Sequence, residues 1–236
     1  MYGYGYGYYS MFDPTMILVL IGVFLSLGAS AKVKSTYARF SRVRSMTGMT
    51  GAEAARQLLN SQGIYDVQIR QVAGSLTDHY DPRTKTVNLS ESVYGSTSVA
   101  AIGVAAHECG HAMQDASEYV PLRLRGSMVP VVNIGAQLSW PMIGVLVGGM
   151  GSPIVSLGIL LFSLSVLFQL VTLPVEFNAS ARAVRLLDST GILRGEEVGY
   201  TKQVLGAAAL TYVAAAAGSI LQLLRLIILF GGRRDD

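Results

Sequence analysis

The sequence predicts a mainly α-helical membrane protein with about four transmembrane helices and a small cytoplasmic α+β domain. Hydrophobic residues make up 51% of its 236 residues and charged residues only 14%, whereas a soluble domain carries about 25% charged residues. Four apolar runs approach or reach the roughly 20 residues that span a bilayer. A polar segment with mixed helix and strand patterns separates the first run from the other three.

The first membrane helix is predicted at residues 15–31, behind a Gly/Tyr-rich tail at residues 1–14. The tail begins with the low-complexity string MYGYGYGYYS, which cannot build a core by itself. An excess of Lys and Arg beside a span marks its cytoplasmic end. Residues after position 31 are therefore predicted to be cytoplasmic, because five cations follow the run: Lys32, Lys34, Arg39, Arg42 and Arg44.

Residues 32–127 are predicted to form the cytoplasmic α+β region, which would carry the catalytic groups. Thr50 and Glu53 have the spacing of a capping box at the start of an amphipathic helix, and Gly63 is placed to end that helix. Alternating and turn-rich patterns predict the elements that follow. They are a strand at 67–72, a hairpin with strands at 76–80 and 86–89, and a helix from about 96 to 115.

Two apolar runs follow, at 128–150 and 153–175, and the Gly-Ser link between them predicts a tight transmembrane hairpin. The basic segment 176–204 is predicted to contain a cytoplasmic helix. The last run, 205–231, contains Arg225 as its one charged residue up to Phe230. It is predicted either as a fourth transmembrane helix or as a buried or interfacial helix, with Arg225 extending toward the headgroups.

A metal-binding pattern lies inside the predicted helix at 96–115, where the sequence reads His107-Glu-Cys-Gly-His111. Histidines four residues apart lie on one face of a helix, so both imidazoles can bind the same Zn²⁺. Glu108 is placed to act as the general base that takes a proton from a zinc-bound water. Cys109 is the only cysteine, which excludes an intrachain disulfide and Cys-rich zinc patterns.

A catalytic zinc site needs a third protein ligand, and His79 is the only other histidine of the chain. The predicted hairpin crosses the bilayer twice and returns the chain to the side that holds His107 and His111. The first acid after the hairpin is Glu176, which we therefore predict as the third ligand. Ser180 lies one helical turn later on the same face and is predicted to hydrogen-bond to a ligand imidazole.

Two longer blocks around these residues resemble the signature blocks of the YugP-type membrane zinc metallopeptidases of bacteria. They read AAHECGHAMQ at 105–114 and LPVEFNASARA at 173–183, and the segment HYDPRTKTVNLSESVY at 79–94 also fits. One position departs from the family, whose second block usually has aspartate where this chain has Asn178. The resemblance covers most of the chain.

This resemblance implies a membrane-bound, neutral zinc endopeptidase of the gluzincin type with a zincin-like domain. In this chain it implies His107, His111 and Glu176 as zinc ligands and Glu108 as the catalytic base. Strands just before the zinc helix of related folds bind extended substrates by β-augmentation. The residues predicted for such an edge strand here are Thr86, Val87, Asn88 and Leu89.

The function predicted from these features is zinc-dependent hydrolysis of peptide bonds by a membrane-embedded endopeptidase with one catalytic Zn²⁺. Arg182 and His79 are candidates for stabilising the oxyanion. Peptides or proteins, including membrane proteins, are the expected substrates, and the lipid bilayer is the expected surrounding. No nucleic-acid partner is expected, because the net charge is only +3 and no basic block occurs. The predicted location is the plasma membrane, with a cytoplasmic active site.

The alternative is a non-proteolytic, zinc-binding membrane scaffold or assembly factor with a relict protease site. Glu108 favours the enzyme, because a purely structural zinc site needs no base beside an open coordination position. A metal transporter is disfavoured, since transport sites lie near the bilayer midplane and the four predicted spans contain no Asp, Glu or His.

Overall fold

The structure is a computed structural model that describes residues 13–144 and 152–230. Within these ranges the chain forms seven helices and three short strands. Most of the Gly/Tyr-rich tail and Gly151 of the predicted hairpin link lie outside the described residues. The elements are α1 (Met16–Phe40), α2 (Gly51–Ser61), β1 (Gln68–Val72), β2 (His79–Asp81), β3 (Thr86–Ser90), α3 (Glu91–Tyr94), α4 (Val99–Ala116), α5 (Val120–Gly144), α6 (Ser152–Ser189) and α7 (Glu196–Phe230).

Three helices of the described part are long and apolar enough to cross a membrane: α1, α6 from Pro153 onward, and α7. They carry residues 16–31, 153–175 and 205–230 of the first, third and fourth predicted spans. Apolar side chains on α1 are largely exposed, for example Phe24 at 70% and Leu27 at 60%, as expected for a surface that faces lipid. Helix α5 carries residues 128–144 of the second predicted span and does not meet the same criterion. The count of four therefore stays a prediction.

Helices α1 and α7 pack closely where two glycines face each other. A Cβ atom added to Gly22 would lie 3.1 Å from the Cα of Gly218, so small residues allow the close approach. Near one end of the pair, Arg225 donates to Asp13 over 2.7 Å. Arg225, which we expected to extend toward the headgroups, is therefore paired within the protein.

The small α+β region has its core between α2 and α4. The predicted capping box is present, since the Thr50 hydroxyl accepts from the Glu53 amide and the Glu53 carboxylate accepts from the Thr50 amide. Helix α2 buries one apolar face, including Leu58 and Leu59, in the same core that contains residues of α4 and the strand residues Val87 and Leu89. This packing holds α4, which carries the histidine motif, against α2 and the sheet.

The three strands form one sheet in the order β1-β3-β2. The predicted hairpin is confirmed, because β2 pairs antiparallel with β3, although β2 extends only over His79–Asp81. β3 also pairs in parallel with β1. The prediction of a free edge at Thr86, Val87, Asn88 and Leu89 is therefore wrong, since the backbone of β3 is occupied by a neighbouring strand on each side.

Helix α6, which contains the third predicted span, does not end at Pro174. Helix α6 continues without a break from Ser152 to Ser189, although proline removes one backbone donor from a helix. Pro174 is exposed, and the next turns are held by packing, since Ala179, Ala183 and Leu187 are fully buried. The segment predicted as a separate helix at 176–204 thus comprises the end of α6, a short loop and the start of α7.

Candidate metal centre

Helix α4 presents His107, Glu108 and His111 on the side away from its packed core. Its N-terminus is capped by Ser98, whose hydroxyl accepts from the Ala101 amide over 3.2 Å. Cys109 lies in the opposite, fully buried face. Burial raises the pKa of the Cys109 thiol, so this group stays protonated and is unsuited to bind a metal or react.

Glycine at position 110 allows α6 to approach the histidine motif. A Cβ atom added to Gly110 would lie 2.6 Å from the carbonyl oxygen of Ala179. Any larger residue would therefore clash with α6 unless α4 or α6 moved. This contact brings the α6 turn between Glu176 and Ser180 against the motif. The small residue inside the pattern is thus required by helix packing.

The predicted third ligand lies beside both histidines. The Glu176 carboxylate oxygen Oε2 is 3.3 Å from His107 Nε2 and 3.6 Å from His111 Nε2. One ligand atom from each of the three residues lies within 4.8 Å of the others. The two imidazole rings are nearly perpendicular, at 82°, and the Glu176 side chain is only 3% exposed. The structure therefore brings the three residues together as the sequence predicts.

This donor set fits a zinc ion. Glu176 Oε2 is buried and accepts no hydrogen bond from any described residue, an arrangement that is costly without a cation nearby. Tetrahedral zinc binds imidazole nitrogen and carboxylate oxygen at ~2.0–2.1 Å, which places ligand atoms ~3.3 Å apart. The two Glu176–histidine distances are close to that value, so His107, His111 and Glu176 can hold the metal.

Both histidines direct their Nε2 atoms to the cluster because their Nδ1 atoms have other partners. Ser180 Oγ lies 3.1 Å from His107 Nδ1, the contact predicted from helical spacing. His111 Nδ1 donates to Gln114 Oε1 over 3.0 Å, and Gln114 in turn donates to the Val175 carbonyl over 2.8 Å. Such contacts fix the ring orientation and the tautomer that a metal requires.

Behind the cluster, Asn178 of α6 contacts one side chain of α4 and one of α6. Its Oδ1 accepts from Gln114 Nε2 over 3.0 Å and from Arg182 Nε over 2.8 Å. The Arg182 guanidinium also lies 6.0 Å from the centre of the Tyr119 ring. Arg182 is not among the described residues that line the cavity in front of the cluster, so the structure does not bring this oxyanion candidate to that cavity.

A cavity of about 450 Å³ opens in front of the cluster. His107, Glu108, His111 and Glu176 line one part of it, and Glu108 is largely buried, at 7% exposure. The remaining wall comes from the strand β2 and its flanks, from α5 and from α7. These residues include Asp78, His79, Tyr80, Pro82, Leu122, Gly126, Val129 and Tyr212.

One wall of the cavity is fixed by a hydrogen bond between Tyr80 of β2 and Asp115 of α4. The Tyr80 hydroxyl donates to Asp115 Oδ2 over 2.8 Å. Burial, together with this hydrogen bond and the charge of Asp115, raises the pKa of Tyr80. The hydroxyl therefore remains a donor, which keeps β2 and His79 beside the histidine motif.

Three residues of the site were missed from the sequence. Gln114 positions His111, Arg125 donates to Glu176 Oε1 over 3.1 Å, and Tyr212 lines the cavity. Gln114 lies inside the first signature block, which was a usable signal. Arg125 looks like an ordinary charge ahead of an apolar run, and Tyr212 lies in an Ala-rich run, so neither pattern marks a site.

Comparison with known proteins identifies the family. A family model described as "putative neutral zinc metallopeptidase" matches residues 15–231. A protein of Bacillus subtilis (strain 168) named "Putative membrane protease YugP" is 46% identical over 224 residues, which cover 94% of this chain and 98% of the relative. No solved structure matches. With a His₂Glu cluster, helices long and apolar enough to cross a membrane, and a match across nearly its whole length, the chain belongs to this zinc metallopeptidase family.

Proposed function

We propose that this protein is a membrane-embedded zinc endopeptidase with His107, His111 and Glu176 as the metal ligands and Glu108 as the general base. The observation that carries the proposal is the buried Glu176 oxygen Oε2, which lies close to two imidazole nitrogens, accepts no hydrogen bond from a described residue, and lies at the wall of a cavity that Glu108 also lines. A zinc ion held there would supply a Lewis acid that acidifies a water molecule and polarises a peptide carbonyl.

The chain's own residues account for the proton transfers. Glu108 accepts a proton from the attacking water at its carboxylate and gives it to the leaving amine nitrogen. Ser180 and Gln114 hold the two imidazoles in place throughout. His79 lines the same cavity and remains a candidate for stabilising the oxyanion, and Tyr212 joins it as a second candidate.

Substrate would bind in extended form along β2. This strand pairs only with β3 within the described sheet, so its other edge has free backbone donors and acceptors. His79 and Tyr80 of β2 line the cavity. β-augmentation at this edge would place a substrate backbone beside the metal ligands. The wall contributed by α5 lies close to a predicted span, which favours membrane proteins and their juxtamembrane segments as substrates.

The proposal is tested by comparing wild-type protein with Glu108→Gln in zinc content and in cleavage of an unstructured protein such as casein. We expect one zinc per chain in both, and a loss of cleavage by a factor of ~10²–10⁴ in the variant, the usual contribution of general base catalysis. Glu91→Gln, an exposed carboxylate at the start of α3, is the matched control and should cleave like wild type.

Equal cleavage by wild type and Glu108→Gln would contradict the mechanism. Zinc-loaded wild type that cleaves neither casein nor membrane-protein substrates would instead favour the non-proteolytic scaffold. These two outcomes differ in the wild-type activity alone, so one experiment separates them.

We further propose a plasma-membrane location with the active site on the cytoplasmic side. The support is the basic sequence that follows α1 and the basic residues around the loop between α6 and α7. Single cysteines introduced at the exposed positions Met46 and Ser189 should react with an impermeant thiol reagent only from the cytoplasmic side. Wild type, which carries only the buried Cys109, is the control, and labelling of intact cells at either position would overturn this orientation.

A further inference from the structure

A second cavity, of about 670 Å³, lies between α6 and α7. Its lining residues fall within residues 177–188 of α6 and 198–213 of α7, and of the metal-site residues only Ser180 borders it. It is a groove on the outer surface of two helices that are each long and apolar enough to span a membrane.

The groove is charged at one end and apolar at the other. Arg185 and Lys202 line it toward the loop that joins the two helices, whereas Phe177, Leu210 and Val213 line it toward the membrane. The three apolar side chains are 46%, 48% and 40% exposed. Consecutive helices joined by a short loop run antiparallel, so both cations lie at the same end.

The length of the groove matches the distance between the phosphate of a lipid and its acyl chains. Phe177 and Arg185 are 8 residues apart on α6, and Lys202 and Leu210 are 8 apart on α7. At 1.5 Å per residue, each separation is ~12 Å along the helix axis. A phosphate at the charged end would therefore leave its acyl chains beside the exposed apolar side chains.

The cations at the charged end of the groove favour binding of an anion. Within the described residues, neither Arg185 nor Lys202 forms an ion pair or a hydrogen bond with another side chain. Asp188 is the one carboxylate that lines the groove, so the three groups together carry a net charge of +1. Basic pockets between membrane helices bind anionic headgroups.

We propose that this groove binds an anionic phospholipid of the surrounding membrane, with its phosphate at Arg185 and Lys202 and its acyl chains against Phe177, Leu210 and Val213. The site is continuous with the membrane-facing surface of α6 and α7, so a lipid reaches it by lateral diffusion. The lipid would lie next to the α6 turn whose Ser180 hydroxyl contacts His107.

The test uses purified full-length protein in nanodiscs that contain a photoactivatable phosphatidylglycerol, followed by mass-spectrometric mapping of the labelled peptides. Labelling should concentrate on residues 177–213 and should exceed that by a phosphatidylcholine probe with the same acyl chains. Each interfacial Lys or Arg contributes about fivefold to binding of anionic lipid, so Arg185→Gln with Lys202→Gln should lower labelling roughly 25-fold.

The matched control is Lys34→Gln with Arg42→Gln, which removes the same charge from exposed positions beside another span and should leave groove labelling unchanged. Two results would each overturn the proposal: equal labelling of the groove by both probes, or labelling confined to other peptides. The wild-type comparison of the two probes decides the matter even if the double variant fails to fold. None of these readouts depends on zinc or on peptidase activity.

Discussion

At the level of single residues, the side chains that contact the metal ligands determine how those ligands are oriented. Gln114 contacts His111 with its oxygen and the backbone of α6 with its nitrogen. Arg125 holds the Glu176 oxygen Oε1, which leaves Oε2 for the cluster. Each of these side chains ties a ligand to a different helix. The orientation of the ligands therefore depends on residues that would not touch the metal.

Gln114→Ala should weaken zinc binding by a factor of ~10–100, the usual effect of removing a hydrogen-bond partner of a ligand histidine. The physical reason is that His111 loses the acceptor that fixes its tautomer. Zinc retention in a titration with a competing chelator measures the change. Gln62→Ala, at the exposed end of α2, serves as the control, and identical retention by both variants would show that Gln114 does not position His111.

Gly110→Ala should destabilise the protein by roughly 1–3 kcal/mol, the usual range for overpacking a tight contact. The added methyl group would meet the Ala179 carbonyl at 2.6 Å, so α6 has to move away from α4. The melting temperature and the zinc content should both fall. In Gly199→Ala, where nothing lies within 4 Å of the new Cβ, neither should fall, and wild-type values for Gly110→Ala would contradict the proposed close packing.

The metal centre is built from elements that are far apart in sequence. Helix α4 belongs to the α+β region, whereas α6 and α7 each contain an apolar stretch long enough to cross a membrane. Helix α6 carries Glu176 and Ser180 on the same uninterrupted helix that would cross the bilayer. A shift of this helix would therefore change the position of a ligand directly. The position of the metal ligands therefore depends on the packing among the long helices.

Gly22→Leu should separate α1 from α7 and lower the thermal stability of the detergent-solubilised protein. The side chain would enter a contact in which even a Cβ atom lies 3.1 Å from Gly218 Cα, at a cost of roughly 1–3 kcal/mol. Gly28→Leu, on the same helix with open space around its Cβ, is the control. Equal melting temperatures for the two variants would show that the helices do not depend on this contact.

In the molecule as a whole, a soluble-like region and a set of membrane helices share one site. Most of the pocket wall opposite α4 comes from β2, α5 and α7. The buried Glu176 carboxylate is paired with Arg125 at Oε1 but accepts no hydrogen bond at Oε2 from any described residue, so that oxygen is left for a bound cation. The fold should therefore be more stable when a cation is bound than when it is absent.

Removal of zinc by a chelator should lower the melting temperature of wild-type protein. Ligand present at 100 times its Kd stabilises a folded protein by about 2.7 kcal/mol, and removing it loses this contribution. Glu176→Ala, which lacks one ligand, should bind less zinc and show a smaller shift with the same chelator. A shift of the same size in both proteins would mean that the chelator acts elsewhere than at this cluster.

Much of the site could be predicted because the relevant patterns are local or follow from topology. The spacing of His107 and His111 encodes their common helix face, and Ser180 follows Glu176 by one turn. The approach of Glu176 required only that a helical hairpin return the chain to the same side. Gln114, Arg125 and Tyr212 were missed because their roles depend on which helices pack together, which spacing along the chain does not reveal.

The sequence by itself determined the helical and membrane character, the capping box of α2 and the residues that meet in the metal cluster. These features depend on hydrophobic run length and helical period, which are properties of short segments. Only the tertiary structure decided that β3 lies at the centre of its sheet and that α6 continues past Pro174. Strand order and helix continuity depend on contacts between distant segments, and in α6 these contacts outweigh the local tendency of proline to break a helix.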